Sequence, residues 1–140
     1  MKIRAVNSAG DGTESVAVQG TPTAPPVPTL LASVATLSSA VSTTYGTAST
    51  AASFSVSGAS LTENLVVTAP TGFEVSTSSG SNFGSTVSLA PSSATVASTT
   101  IYVRLKADAA VSGTYNGRTI VVTSSGAETV NVLTAASGNT

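Results

Sequence analysis

The chain has 140 residues, among which Ser and Thr are the two commonest types, and its 5 Lys and Arg residues nearly balance its 6 Asp and Glu residues. It has no His, Cys or Trp, which excludes the commonest general base, thiolate nucleophiles, disulfides and His or Cys metal sites. With charged residues at only 8%, it offers no basic surface for nucleic acid and no acidic run for a cationic partner.

Residues 1–20 are predicted to form two short strands around a turn. Ile3 and Val6 precede an Ala-Gly-Asp-Gly sequence, and Val16 and Val18 follow it. The glycines on either side of Asp11 permit the positive φ angles of hairpin turns, so Asp11 is interpreted as a turn residue rather than a calcium ligand. The start of the chain reaches Asn7 before an apolar signal-peptide core can form, so any secretion signal is expected outside this chain.

The run of residues 5–15, Ala-Val-Asn-Ser-Ala-Gly-Asp-Gly-Thr-Glu-Ser, resembles the last hairpin of a fibronectin type III domain. A two-stranded ribbon is only marginally stable alone. The resemblance therefore implies that residues 1–20 are the C-terminal hairpin of a truncated domain.

Residues 21–29 are predicted to be a linker. They contain four prolines, which fix φ and favour an extended, semi-rigid chain. Pro25 and Pro28 also have the P-x-x-P spacing of ligands for proline-recognising domains, although the spacer interpretation is favoured.

Residues 30–138 are predicted to form one β-sandwich. Because branching at Cβ suits an extended backbone, the abundance of Val and Thr favours strands, and turn signals recur at sandwich-like intervals. The predicted strands cover residues 30–37, 52–57, 64–69, 73–77, 85–89, 99–106, 119–124 and 128–134. The predicted core consists of Phe54, Phe73, Ile101, Val103, Leu105, Ile120, Val122 and Val132. The apolar residues are interrupted by Ser or Thr every few positions, so no window approaches the roughly 18 apolar residues of a membrane-spanning helix.

Four segments of this domain resemble immunoglobulin-like repeats of large bacterial secreted and cell-surface proteins. They are residues 61–76 (Leu-Thr-Glu-Asn-Leu-Val-Val-Thr-Ala-Pro-Thr-Gly-Phe-Glu-Val-Ser), the loop at residues 78–84 (Ser-Ser-Gly-Ser-Asn-Phe-Gly), residues 101–105 (Ile-Tyr-Val-Arg-Leu) and residues 113–127. The resemblance implies an immunoglobulin-like antiparallel β-sandwich, extracellular or at the cell surface, whose partners are neighbouring domains of the same polypeptide. It implies no cofactor and no particular ligand.

Four residues in these segments are predicted to have structural roles. Pro70 and Gly72 break a strand so that Phe73 can enter the core directly from a turn. Tyr115 stands where a sandwich places a tyrosine corner, with its ring packed and its hydroxyl bonded to upstream backbone.

Catalysis is not expected. A glycosidase needs two carboxyl groups about 5 to 10 Å apart in one cleft, whereas Glu63, Glu74, Asp108 and Glu128 lie in separate predicted strands or loops. Ser is abundant, but a nucleophilic Ser needs a base, and neither G-x-S-x-G nor S-x-x-K occurs.

Two functions from different classes remain. The favoured one is a non-catalytic spacer or adhesion module of a larger bacterial extracellular protein. The alternative is a carbohydrate-binding module that contacts surface polysaccharide. Its candidate contacts are the aromatic rings of Tyr45, Tyr102 and Phe83, with Asn82 beside Phe83 in a Ser- and Gly-rich loop.

Overall fold

The structure, a computed structural model, describes residues 24–140. These residues form eight β-strands and no helix. In chain order the strands are β1 Thr29–Ala32, β2 Ala52–Ala59, β3 Leu65–Thr68, β4 Phe73–Ser76, β5 Thr86–Leu89, β6 Val96–Leu105, β7 Thr119–Thr123 and β8 Val130–Leu133.

The strands form two antiparallel sheets of four strands each, which together make a β-sandwich. The first sheet has the order β1-β2-β6-β4, and the second has the order β5-β3-β7-β8. Side chains alternate between the two faces of a strand, so each sheet turns one row of large apolar residues toward the other sheet. The predicted all-β sandwich is confirmed.

The core between the sheets contains every residue predicted for it. All eight side chains, from Phe54 to Val132, are at most 4% exposed. They are joined by further buried residues, among which Val56, Leu65, Val67 and Val75 are at most 1% exposed. In β6 the alternate residues Tyr102 and Arg104 are half-buried on the outer face, as the period of two predicts.

The chain passes from one sheet to the other at both edges of the sandwich. After β1, Thr36 forms a parallel bridge with Leu133 of β8, in the second sheet. At the opposite edge, Gly84 bridges Val75 of β4 in the first sheet, and β5 then pairs with β3 in the second. These crossings cover part of the backbone that edge strands otherwise leave open to pairing with another chain.

The predicted strand over residues 30–37 is wrong as a single strand. Regular pairing in β1 ends at Ala32, and the chain has changed sheets by Thr36. Leu30 and Leu37 are both buried, so the two pieces have the apolar pattern of one strand although they belong to different sheets. The ends of the other predicted strands coincide with those in the structure or differ from them by at most three residues. The largest difference is at β6, where an irregularity between Val56 and Gly58 extends the pairing back to Val96.

Loops gather at two opposite ends of the sandwich, as the strand directions require. We call the end formed by residues 24–28, 60–64, 90–95 and 124–129 the entry end. The far end is formed by residues 38–51, 69–72, 106–118 and 134–140. Backbone hydrogen bonds connect the loops within each end, such as Leu61 N to Ala94 O at 2.8 Å and Gly46 N to Ala107 O at 2.7 Å.

The sandwich includes residues on both sides of its predicted limits. β1 begins at Thr29, and Asn139 and Thr140 are hydrogen-bonded into the far end. The predicted hairpin at residues 1–20 and the beginning of the predicted linker at residues 21–29 lie outside the described residues.

Candidate functional site

The far end is built around the ring of Tyr115. This ring is 7% exposed and packs edge-on against Phe73, with 5.8 Å between ring centroids and 82° between ring planes. Its hydroxyl donates a 2.6 Å hydrogen bond to the carbonyl oxygen of Ala110, five residues upstream. This is the arrangement of a tyrosine corner, and it ties the long loop before β7 to the core.

Two glycines leave room for the Tyr115 ring. A Cβ at Gly72 would lie 2.5 Å from Tyr115 Cε1, and a Cβ at Gly113 would overlap the ring carbon Cζ and the hydroxyl. Gly72 also has a φ of +88°, a backbone conformation that residues with a side chain rarely adopt. The turn there is closed by the 3.0 Å bond from Phe73 N to Pro70 O, so Phe73 enters the core directly from the turn.

Asn139 joins the last residues to this corner. Its side chain is buried: Oδ1 accepts from Val41 N at 2.8 Å, and Nδ2 donates to Ala135 O at 2.7 Å and Tyr115 O at 3.2 Å. Its backbone N donates to Asn116 Oδ1 at 2.9 Å. A buried amide with all these partners holds the segment after β8 in one position.

Thr134 forms a second polar tie at the far end. Its hydroxyl donates to Tyr115 O at 2.7 Å and accepts from Arg118 N at 2.8 Å, while its own backbone N donates to Arg118 O. Tyr115 O therefore accepts from both Thr134 and Asn139. This shared carbonyl group adds to the bonds of Thr134 with Arg118 and of Asn139 with Asn116, so several hydrogen bonds join the loop before β7 to the segment after β8.

Outside this polar cluster lies an open groove of about 530 Å³. Lys106 and Arg118 line it together with Asp108, and the Lys106 ammonium is 3.7 Å from an oxygen of Asp108. Arg118 Nη1 donates to Thr114 O at 2.8 Å. The groove therefore carries two cationic side chains and one anionic side chain.

A second, smaller groove of about 250 Å³ lies at the same end. Tyr45 and Val111 line it beside Thr140, and their side chains are 67% and 83% exposed. Tyr45 therefore lies at the far end, away from the other aromatic residues predicted to contact sugar.

A groove of about 500 Å³ lies at the entry end. Val27 and Leu31, which are 72% and 67% exposed, line it together with Pro28 and Glu128. This groove has one acidic residue and no cationic residue, whereas the larger far-end groove has two cationic residues and one acidic residue.

The other predicted sugar contacts lie on or beside the outer face of the first sheet. Arg104 Nε is 2.7 Å from Glu74 Oε1, and the guanidinium carbon lies 3.8 Å from the centroid of the Phe83 ring. The cation covers one face of Phe83 and so occupies a surface on which a sugar could stack.

The loop after β4 folds against this face. The hydroxyl of Ser76 donates to Ser81 O at 2.6 Å and accepts from Ser78 N, so Ser76 is buried although it points away from the core. Ser76 is the pairing partner of Tyr102, which places Tyr102 beside the loop that carries Asn82 and Phe83. Asn82 is exposed and has a φ of +58°, which Asn tolerates better than most residues.

The four carboxyl groups considered for catalysis are spread over the molecule. Glu63 and Glu128 lie at the entry end, Asp108 lies at the far end, and Glu74 is paired with Arg104. The larger far-end groove contains one of them, Asp108, and the entry-end groove contains another, Glu128, while none of the four lines the smaller far-end groove.

Sequence reasoning missed Asn139 and Thr134, which hold the far end together. Both are small polar residues near the end of the chain, and neither belongs to a recognisable motif. The contact between Arg104 and Phe83 was also missed, because it joins β6 to a loop about 20 residues earlier in the chain. A weak signal for the ion pair was available, since Glu74 and Arg104 have opposite charges and both lie in predicted strands, but the pairing of those two strands is seen only in the structure.

Comparison with known proteins identifies no relative. No protein family, no curated protein and no solved structure matches the chain. Residues 24–140 contain no helix that is long and apolar enough to cross a membrane.

Proposed function

We propose that this chain is a non-catalytic spacer or adhesion module, of immunoglobulin-like type, in a larger bacterial extracellular protein. The observation that carries the proposal is the placement of the first and last described residues at opposite ends of the sandwich. β1 starts at the entry end, whereas Asn139 and Thr140 are bonded into the far end. A module connected in this way adds its full length to an extended protein.

The contact between the segment after β1 and the last strand, β8, suits a module under tension. The segment that follows β1 runs parallel to β8, with bonds from Leu37 N to Leu133 O at 2.8 Å and from Leu133 N to Ala35 O at 2.9 Å. A pull on the two opposite ends would slide these segments past each other. Bonds that lie across the direction of force are then strained together rather than one by one.

Residues 139 and 140 are also held to the sandwich by hydrogen bonds. Thr140 N donates to Val41 O at 3.2 Å, and Thr43 N donates to Thr140 O at 2.8 Å. With the Asn139 side chain, these bonds connect residues 139–140 to the loop that precedes β2. A force applied at Thr140 therefore acts on the folded sandwich and not on a loose tail.

Single-molecule stretching tests this proposal. With the chain placed between reference domains, we expect one cooperative unfolding event for the sandwich, with a length gain on the order of 350 Å from the residues between Thr29 and Thr140. Leu37→Pro removes the N–H group that donates to Leu133 O and is the informative variant. We expect it to lower the unfolding force. Ser39→Pro, in an exposed part of the same loop, is the control. Gradual extension without a force peak would contradict the proposal.

The alternative, a carbohydrate-binding module, is supported by the position of Tyr102. This half-buried residue lies between Ser53 and Ser76 in the first sheet, close to the loop of Asn82 and Phe83. Screening against polysaccharides distinguishes the two functions. Binding that is abolished by Tyr102→Ala but unaffected by Tyr45→Ala would favour this alternative, whereas the spacer role predicts no binding to any polysaccharide.

A further inference from the structure

We propose that the entry end of one copy of this chain binds the far end of a second copy, so that the copies pack head to tail. In the larger protein proposed above, on which its biological setting rests, this contact would join successive modules. Both ends combine exposed apolar side chains with net charge.

The exposed apolar side chains are concentrated at the ends. Among the described residues, the four large hydrophobic side chains with the greatest exposure are Val27 and Leu31 beside the entry end and Tyr45 and Val111 at the far end. Each pair lines a groove. Burying such residues against each other removes apolar area from water, which is the main favourable term in association.

The charges at the two ends are complementary. Within residues 24–140, the entry end carries Glu63 and Glu128 and no cationic side chain. The far end carries Lys106 and Arg118 against the single acid Asp108. Arg104 and Glu74, the remaining charged residues of the described part, are bonded to each other on the side of the sandwich. Lys106 is already 3.7 Å from Asp108, so among the described residues Arg118 is the far-end cation that lies outside an ion pair. The side-chain charges at the two ends therefore have opposite net sign, negative at the entry end and positive at the far end.

This distribution favours a head-to-tail contact over a symmetric one. Two entry ends facing each other would bring Glu63 and Glu128 toward the same residues of the other copy, and like charges facing each other suppress association. A head-to-tail contact places Glu128 toward Lys106 and Arg118. It also leaves a free entry end and a free far end on every pair, so copies can add in a line.

The contact is expected to be weak between separate copies. Each end offers only two strongly exposed large apolar residues, whereas a stable interface involves about 20 to 30 residues from each partner. Two modules joined by a short linker, in contrast, experience an effective concentration in the millimolar range, which makes a weak contact sufficient.

Sedimentation and NMR titration of the 140-residue chain over a wide concentration range, at low salt, test the proposal. We expect concentration-dependent association that weakens as salt is added. Glu128→Lys and Arg118→Glu should each weaken association by about tenfold or more, because each places like charges in the contact. The double variant carries the exchanged charges at both ends and should regain association. Asn131→Lys, on the exposed face of β8, is the control and should associate like the unmodified chain.

Each result has a definite meaning. A chain that stays monomeric at millimolar concentration, or a double variant that remains as weak as the single ones, overturns the head-to-tail contact. A symmetric contact between entry ends would leave Arg118→Glu unaffected, and that outcome overturns it as well. Circular dichroism and thermal unfolding verify that each variant is folded. Loss of association leaves the stretching result unchanged, so failure of this contact and failure of the spacer role are distinguishable.

Discussion

The ring of Tyr115 meets Phe73 edge-on, with 82° between the ring planes, so a residue from the loop before β7 packs on the first residue of β4. The contact connects the two sheets at the far end, because β4 belongs to the first sheet and β7 to the second. Gly72 and Gly113 lie against the Tyr115 ring, and Asn139 donates to the Tyr115 carbonyl oxygen.

Tyr115→Phe removes the hydrogen bond to Ala110 O and keeps the ring. Because Ala110 is exposed and its carbonyl can bond water instead, we expect a loss of about 1 kcal/mol in the free energy of unfolding. Urea titration followed by circular dichroism measures it. Tyr102→Phe is the matched control and should be nearly neutral. A loss of several kcal/mol for Tyr115→Phe would mean that the hydroxyl does more than make this one bond.

Gly113→Ala places a methyl group where the Tyr115 ring lies. The ring must move away from its packed position, so we expect destabilisation of about 1 to 3 kcal/mol. Gly80→Ala is the control, since a Cβ there meets no atom within 4 Å, and it should change stability by less than about 0.5 kcal/mol. Equal stabilities of the two variants would contradict the packing described here.

Asn139→Ala removes the acceptor of the buried Val41 N–H and the donors to Ala135 O and Tyr115 O. Leaving buried polar groups without partners should cost about 1 to 3 kcal/mol. Hydrogen exchange should also show faster exchange at Val41 and Thr140 than in the unmodified chain. Asn131→Ala, at an exposed position in β8, should affect neither measurement. Unchanged exchange at Val41 in Asn139→Ala would contradict the role assigned to Asn139.

The ion pair of Arg104 and Glu74 should be energetically coupled, whereas that of Lys106 and Asp108 should not. The first pair is at 2.7 Å with side chains 26% and 17% exposed, and the second is at 3.7 Å with side chains 42% and 73% exposed. Double-mutant cycles with Gln or Asn replacements should give a coupling of about 1 kcal/mol for the first pair and close to zero for the second. Added salt should reduce the first coupling. Similar couplings for both pairs would show that burial does not distinguish them.

Local sequence pattern was sufficient to predict most of the fold. Period-two alternation located each end of β2 to β8 to within three residues, and every residue predicted for the core is buried. The failure at residues 30–37 has a clear cause. Alternation records which side chains face inward, but it is the same whichever sheet supplies the hydrogen bonds, so the change of sheet before Thr36 left no trace in the pattern.

The candidate sites depended much more on distant contacts. Tyr45, Tyr102, Asn82 and Phe83 were grouped because they are aromatic or adjacent to an aromatic residue, and the folded chain places Tyr45 at the far end, apart from the other three. The contact between the Arg104 guanidinium and the Phe83 ring could not be predicted from the sequence, because it joins two segments that are not neighbours in the chain.

By itself the sequence determined that the chain forms paired sheets with a core of Phe, Ile, Leu and Val, because hydrophobic alternation and Cβ branching act over a few neighbouring residues. Only the tertiary structure decided where the few charges and exposed apolar residues meet. Glu128, Arg118 and Val111 acquire a common role only when the strand directions carry them to the two ends of the sandwich. Strand direction and sheet order are set by contacts between distant parts of the chain, and no local pattern encodes them.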